Sequence, residues 1–78
     1  MDRVVALGEF ADIQGFAFGG AVVMPAEDDD TVRAVWDELG DDVAVVIVTA
    51  RAAAALGPER SSSLHHLVVL IPSAGLPA

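Results

Sequence analysis

An α/β fold, a small three-layer sandwich around a four-stranded parallel sheet, is what this sequence predicts, and two patterns carry the prediction. Four short aliphatic runs, residues 4–7, 21–24, 43–48 and 67–71, are continuous in their apolar character rather than alternating. Continuous, β-branched-rich runs of that length are how strands buried on both faces read, and sheets of such strands are parallel. Parallel strands need crossovers. Between the second and third runs, Val32, Val35, Trp36 and Leu39 recur at i, i+3, i+4 and i+7, a single apolar stripe along a helix.

In chain order, the first run is halted by Gly8 and the second by Pro25. Between them lies the stretch GFAFGG, residues 15–20, which places Ile13, Phe16 and Ala17 on one face of a helical turn or two. The paired Gly19 and Gly20 permit positive φ and a tight turn into the strand that starts at Ala21. Glycines in such a place either cradle a phosphate or let two backbone segments approach. A dinucleotide fingerprint needs G-x-G-x-x-G directly at the first strand-to-helix turn, where Gly8 stands alone, so close approach is the expected role. A Walker A loop needs a lysine, and the chain has none.

The striped helix has Asp28 or Asp29 to cap its start, acids at residues 27–30 where the helix dipole favours negative charge, and Gly40 as its stop. Asp29, Arg33 and Asp37 are spaced to pair along its outer face. Residues 49–56 are alanine-rich and predicted helical, ended by Gly57-Pro58. Ser61, Ser62 and Ser63 form a polar joint before the last strand, which Pro72 stops.

At 78 residues this is one domain, of a size that buries only about 60% of its surface on folding. Its stability must come from an aliphatic core: 54% of residues are hydrophobic and there is no cysteine to form disulfides or ligate a metal. That composition suits a reducing cytoplasm. No run approaches the roughly 20 apolar residues of a membrane span, and the opening Met1-Asp2-Arg3 with four apolar residues is too short for a secretory signal, so a soluble protein is expected. Twelve carboxylates against four arginines give a net charge of −8, and eight of the acids fall within residues 27–42. A field of that sign disfavours nucleic acid and anionic lipid; it suits either a basic protein surface or a solvated face.

Ligands of open parallel sheets bind beyond the carboxyl ends of the strands, so a site would draw on Gly8, Glu9, Pro25, Thr49, Arg51 and Ser73. A phosphoacceptor receiver domain needs an acid at the end of the third strand, where this chain has Thr49; Glu9 and Asp12 resemble its acidic pair only loosely. His65 and His66 have no acid or cysteine near them in sequence, which favours a surface or helix-end role over metal binding. The serines beside them lack the glycine-flanked turn of a nucleophile elbow. No catalytic, cofactor-binding or metal-ligating residue is therefore expected, and no nucleotidase activity.

The order of these segments, VVALGE, then IQGFAFGGAVV, then an acidic amphipathic helix, then DVAVVIVT, then LVVLIPSAG, resembles the F-subunit family of the V-type and A-type rotary ATPases, small proteins of the central stalk. That family has a Gly-Phe-x-(Leu)-Ala-Gly turn, matched by Gly15-Phe16-Ala17-Phe18-Gly19-Gly20 with Phe18 for the usual aliphatic and Gly19 for the usual alanine. Its third strand ends in threonine, matched by Thr49, and its fourth in Ile-Pro or Leu-Pro, matched by Ile71-Pro72. The resemblance spans nearly the whole chain, although none of these motifs is specific alone. It implies a flavodoxin- or receiver-like strand order and a domain, residues 1–78, equivalent to the family's globular part without its C-terminal helix. It also implies a non-catalytic role without cofactors: docking on the coiled-coil shaft subunit, coupling ATP turnover to rotation and ion transport, at the cytoplasmic side of a membrane reached only through the complex. Phe16, Phe18, Asp29, Asp30 and Asp37 are the candidate contacts to the partner. The competing expectation is a stand-alone, receiver-like ligand-binding or signalling module.

Overall fold

The structure, a computed structural model, describes residues 3–62 and 65–73. Strand β1 (Arg3–Gly8) leads into a short helix α1 (Phe10–Ile13) that continues as a 3₁₀ segment (Gln14–Gly19). Then come β2 (Val22–Pro25), α2 (Asp29–Glu38), β3 (Val43–Thr49), α3 (Ala50–Ser61) and β4 (Leu67–Ile71). The four strands form one parallel sheet in the order β2-β1-β3-β4, the doubly wound arrangement that the sequence predicts. Residues 63–64 and 74–78 lie outside the described residues, and with them part of the serine joint.

Right-handed crossovers follow from this order: the chain moves one way from β1 to β2 and the other way from β2 onward, so α1 sits on one face and α2 with α3 on the other. The packing agrees. Val5 and Leu7 of β1 and Val46 and Val48 of β3 join Val32, Trp36, Ala52 and Leu56 of α2 and α3 in the main core. Ala6 points to the opposite face by strand alternation and is fully buried, as is Ile13 at the end of α1, which packs on β1 and β2.

The expectation that all four strands are buried on both faces is met by β1 from Val5 to Gly8, whereas β3 is buried on the face that meets α2 and α3 and half-buried at Val45 and Ile47 on the other. β2 and β4 are the sheet edges, and Val22, Leu67, Val69 and Leu70 are exposed. The runs are apolar throughout because of composition, while burial is decided by position. The layer holding α1 is also short and lies over the β1–β2 half of the sheet.

Within α2, Asp28 is the cap: its Oδ1 accepts from the Thr31 backbone N–H at 2.7 Å. Helical dihedrals end at Glu38, and Leu39 is already extended, one residue ahead of Gly40. The expected Asp29–Arg33–Asp37 ladder does not form. Arg33 pairs with Asp30 and donates to the Ala55 carbonyl at 3.2 Å, and Asp37 is engaged by Arg60 at 3.3 Å. The reason is packing: α2 lies against α3, and the neighbouring helix offers partners that the solvent face lacks.

The glycines also sort differently from expectation. Around Gly15, Gly19 and Gly20 there is open space, and of these only Gly20, at φ 91°, requires a left-handed backbone. The close approach is at Gly8, φ 156°, where a Cβ would lie 2.4 Å from Thr49 Cγ2. In α3, Thr49 is the cap rather than a helical residue, and Gly57 (φ 77°, ψ 169°) breaks the helix as expected. A further turn then starts at Pro58, a residue suited to a first helical position.

Candidate functional site

The carboxyl ends of β1, β3 and β4 converge, and five of the six rim residues meet there: Gly8, Glu9, Thr49, Ser73 and, through its backbone N–H, Arg51. The bare Cα of Gly8 lets the Thr49 side chain sit against β1. Thr49 is fully buried and uses its hydroxyl twice: Oγ1 accepts from the Ala52 backbone N–H at 3.2 Å, capping α3, and donates to Glu9 Oε1 at 2.6 Å. Ser73 is buried too, its Oγ accepting from the Arg51 backbone N–H at 3.1 Å. The Glu9 carbonyl starts α1 by accepting from Asp12 and Ile13 at 2.9 and 3.2 Å. Pro25 pairs with Gly8 in the sheet register but faces solvent.

Partial burial acts to raise the Glu9 carboxyl, but hydrogen bonds from Thr49 foremost, with Ser73, outweigh it and hold the group below the ordinary glutamate range. Near neutral pH, Glu9 is therefore an ionised acceptor. Its Oε2 is buried with no hydrogen-bond partner among the described residues. The cleft beside it, bounded by Glu9, Glu27, Asp28, Arg51 and Ala52, measures about 10 Å³, room for about one water. Chemically the cluster is a clasp joining three strand ends: its hydroxyl is occupied on both sides and its carboxylate is held ionised by the same bond.

One member of this neighbourhood had no warning in the sequence pattern. Glu27 lies in the loop before α2, and its Oε2 accepts from the Phe10 backbone N–H at 2.8 Å, satisfying a free donor at the start of α1. Only the fold brings residues 17 apart in sequence to this contact. The histidines are also placed by the fold. His66 is half-buried, Nδ1 donating to the Val43 carbonyl at 2.6 Å, with its ring edge-on to Trp36 at 5.5 Å; His65 is exposed. Among the described residues no group of three histidine, cysteine or acidic side chains is arranged to hold a metal. No described helix is long and apolar enough to cross a membrane.

The five candidate partner contacts fall into two places. Phe18 is 97% exposed and Phe16 is half-buried on the 3₁₀ segment, where Phe10, Gln14, Ala17, Phe18 and Val23 line a shallow apolar groove of about 560 Å³. Asp29 and Asp30 are exposed in the first turn of α2 and Asp37 is exposed near its end, on the other side of the sheet. The structure thus separates an apolar candidate surface from an acidic one. The chain matches no protein-family model and no curated protein.

Proposed function

We propose that the chain is a non-catalytic docking module of the central stalk of a V/A-type rotary ATPase, seated on the coiled-coil shaft at the cytoplasmic side of the membrane and helping couple ATP turnover to rotation and ion transport. The observation that carries the non-catalytic part is the Thr49–Glu9 bond. In an open parallel sheet the strand ends are where chemistry is normally placed, and here their polar groups bind one another. The assignment to the stalk rests on the order of motifs along the chain. The Gly-Phe turn lies between β1 and β2, the threonine ends β3, and the Ile-Pro pair ends β4.

The acidic face of α2 supplies the docking field. Its contacts to a basic stripe on a coiled coil are screened over about 8 Å at physiological salt. Co-purification with the shaft subunit tests the reading: binding is expected to weaken with salt and with charge reversal at Asp29, Asp30 and Asp37. Binding untouched by salt or by those reversals, but lost in Phe18→Lys, would move the docking surface to the 3₁₀ segment, where Phe18 lines the apolar groove and Phe16 lies beside it. No binding at all, or ATP turnover abolished by a change at Glu9 or Thr49, would overturn the reading.

A further inference from the structure

Edge strands present unpaired backbone groups, and proteins blunt them with charges, prolines, bulges or short length. The two edges of this sheet differ in that respect. β2 is four residues long, ends in Pro25 and is flanked by the 3₁₀ segment. β4 is Leu67-Val68-Val69-Leu70-Ile71, with no charge, proline or glycine inside it, and Leu67 is 65%, Leu70 62% and Val69 40% exposed. We propose that β4 is a self-pairing edge. Two copies of this chain join β4 to β4, antiparallel about a two-fold axis through Val69, to make one continuous eight-stranded sheet.

Three observations select a second copy as the occupant. The first is self-complementarity. An antiparallel pairing centred on Val69 sets Val69 against its own counterpart, Leu67 against Ile71, and Val68 against Leu70. Residues 67, 69 and 71 share one face and 68 and 70 the other, so every cross-strand pair is aliphatic and on matching faces.

The second is continuity. By register, Leu67 and Val69 lie beside Val45 and Ile47 on the face opposite α2 and α3, and α1 packs over β1 and β2 instead. That half of the sheet is uncharged, and pairing of the edges would align the two open halves into one apolar strip.

The third is charge. Eight of the twelve acids lie within residues 27–42, on and around α2, whereas α3 packs on β3 and β4 and lies between α2 and this edge. α3 carries Arg51, Glu59 and Arg60, two positive charges against one negative. The pairing therefore leaves the strongly acidic segments of the two copies on outer sides of the joint sheet.

The joint is a strand edge with a narrow apolar strip, below the roughly 800 Å² per partner of a standard stable interface, so the dimer is reversible and concentration-dependent. The proposal does not rest on the stalk reading, because it is tested with this chain alone. Sedimentation velocity of the full chain over a wide concentration series is expected to show one-copy mass giving way to two-copy mass. Val69→Lys places two like charges face to face on the axis and is expected to hold the protein monomeric. Leu67→Glu, at a more exposed position that the fold needs less, is expected to weaken the dimer as well, with far-ultraviolet circular dichroism confirming that it is folded. Phe18→Lys, near the opposite, β2 edge of the sheet, is expected to leave it unchanged. A monomer at every concentration, open-ended assembly beyond two copies, a folded Leu67→Glu that dimerises as the parent does, or a dimer lost in Phe18→Lys would each overturn the proposal.

Discussion

Thr49 shows how a single hydroxyl can tie local to global structure. It caps α3, and it also holds the carboxylate that follows β1. Thr49→Val keeps the shape but removes both bonds, and it is expected to destabilise the fold by about 2–4 kcal/mol, the sum of a lost cap and a lost charge-assisted bond. The urea midpoint measures it. Gly8→Ala is expected to cost at least about 2 kcal/mol, because the new methyl meets the buried Thr49 side chain from a backbone angle that side chains avoid. The pH dependence has a definite sign. Glu9, Asp28 and Asp42 are all depressed in the fold: Glu9 by bonds that outweigh its burial, Asp28 chiefly by Thr31, and Asp42 chiefly by the Arg3 side chain. Groups of this kind contribute stability above their unfolded values, 4.5 for the glutamate and 3.8 for the aspartates, and lose it as pH falls through their lower folded values. Stability is thus expected to decline in acid below those values. The gap between the parent and Thr49→Val is expected to narrow there, because a protonated Glu9 accepts the Thr49 hydroxyl less strongly than an ionised one. A gap constant through acid would show that the bond does not favour the ionised Glu9.

At the level of elements, α2 is where the sequence speaks most plainly and where the structure follows it most closely. Its stripe is the core face: Val32 and Trp36 are buried, with Val35 and Leu39 packed against them. Trp36→Ala is expected to cost about 3–5 kcal/mol, most of the stability of so small a domain. An unchanged urea midpoint would show that this side chain does not hold the core. Asp28→Ala removes a cap bond and is expected to lower the urea midpoint by less than Trp36→Ala does. The departures at this scale have a common cause. Helix spacing shows which residues could pair along one helix, but Arg33 and Asp37 are drawn to α3 because α3 lies beside them. Likewise Gly57-Pro58 ends a helix as composition indicates, and the next turn persists because Pro58 is a good first residue and Ser61 Oγ donates back to the Gly57 carbonyl at 2.8 Å.

For the whole molecule, the parallel sheet, the number of strands and the position of each run were legible because continuous aliphatic segments and one striped helix leave few alternatives. The rim was legible too, since topology alone directs attention to the strand ends, and Glu9, Thr49 and Ser73 do meet there. What the residues do there was not legible. A threonine at the end of a strand reads the same whether its hydroxyl is free or bonded on both sides. Edge and centre were equally hidden: residues 43–48 and 67–71 look alike as sequence, yet the first strand is mostly covered and the second largely bare. Glu27 belonged, on sequence, to an acidic tract, and only the folded chain reveals it as the cap of α1.

The unequal cover of the strands also sets the order in which the molecule opens. β1 and β3 share the sheet centre and the buried core, so their amides can exchange with solvent only when the whole domain unfolds. β4 is held on one side by β3 and packs partly on α3, so it can detach with the last turn of that helix while Ala52 and Leu56 stay in the core against α2. Native-state hydrogen exchange is therefore expected to report two free energies in one small sheet, a lower one for β4 with the last turn of α3 and the global one for β1 and β3. Uniform protection across all four strands would mean that this edge is fastened as firmly as the centre. If the lower energy rises with protein concentration while the higher one does not, the fastening is supplied by another molecule, and the strand that looks least secure in a single copy is the one whose stability the cell sets by abundance.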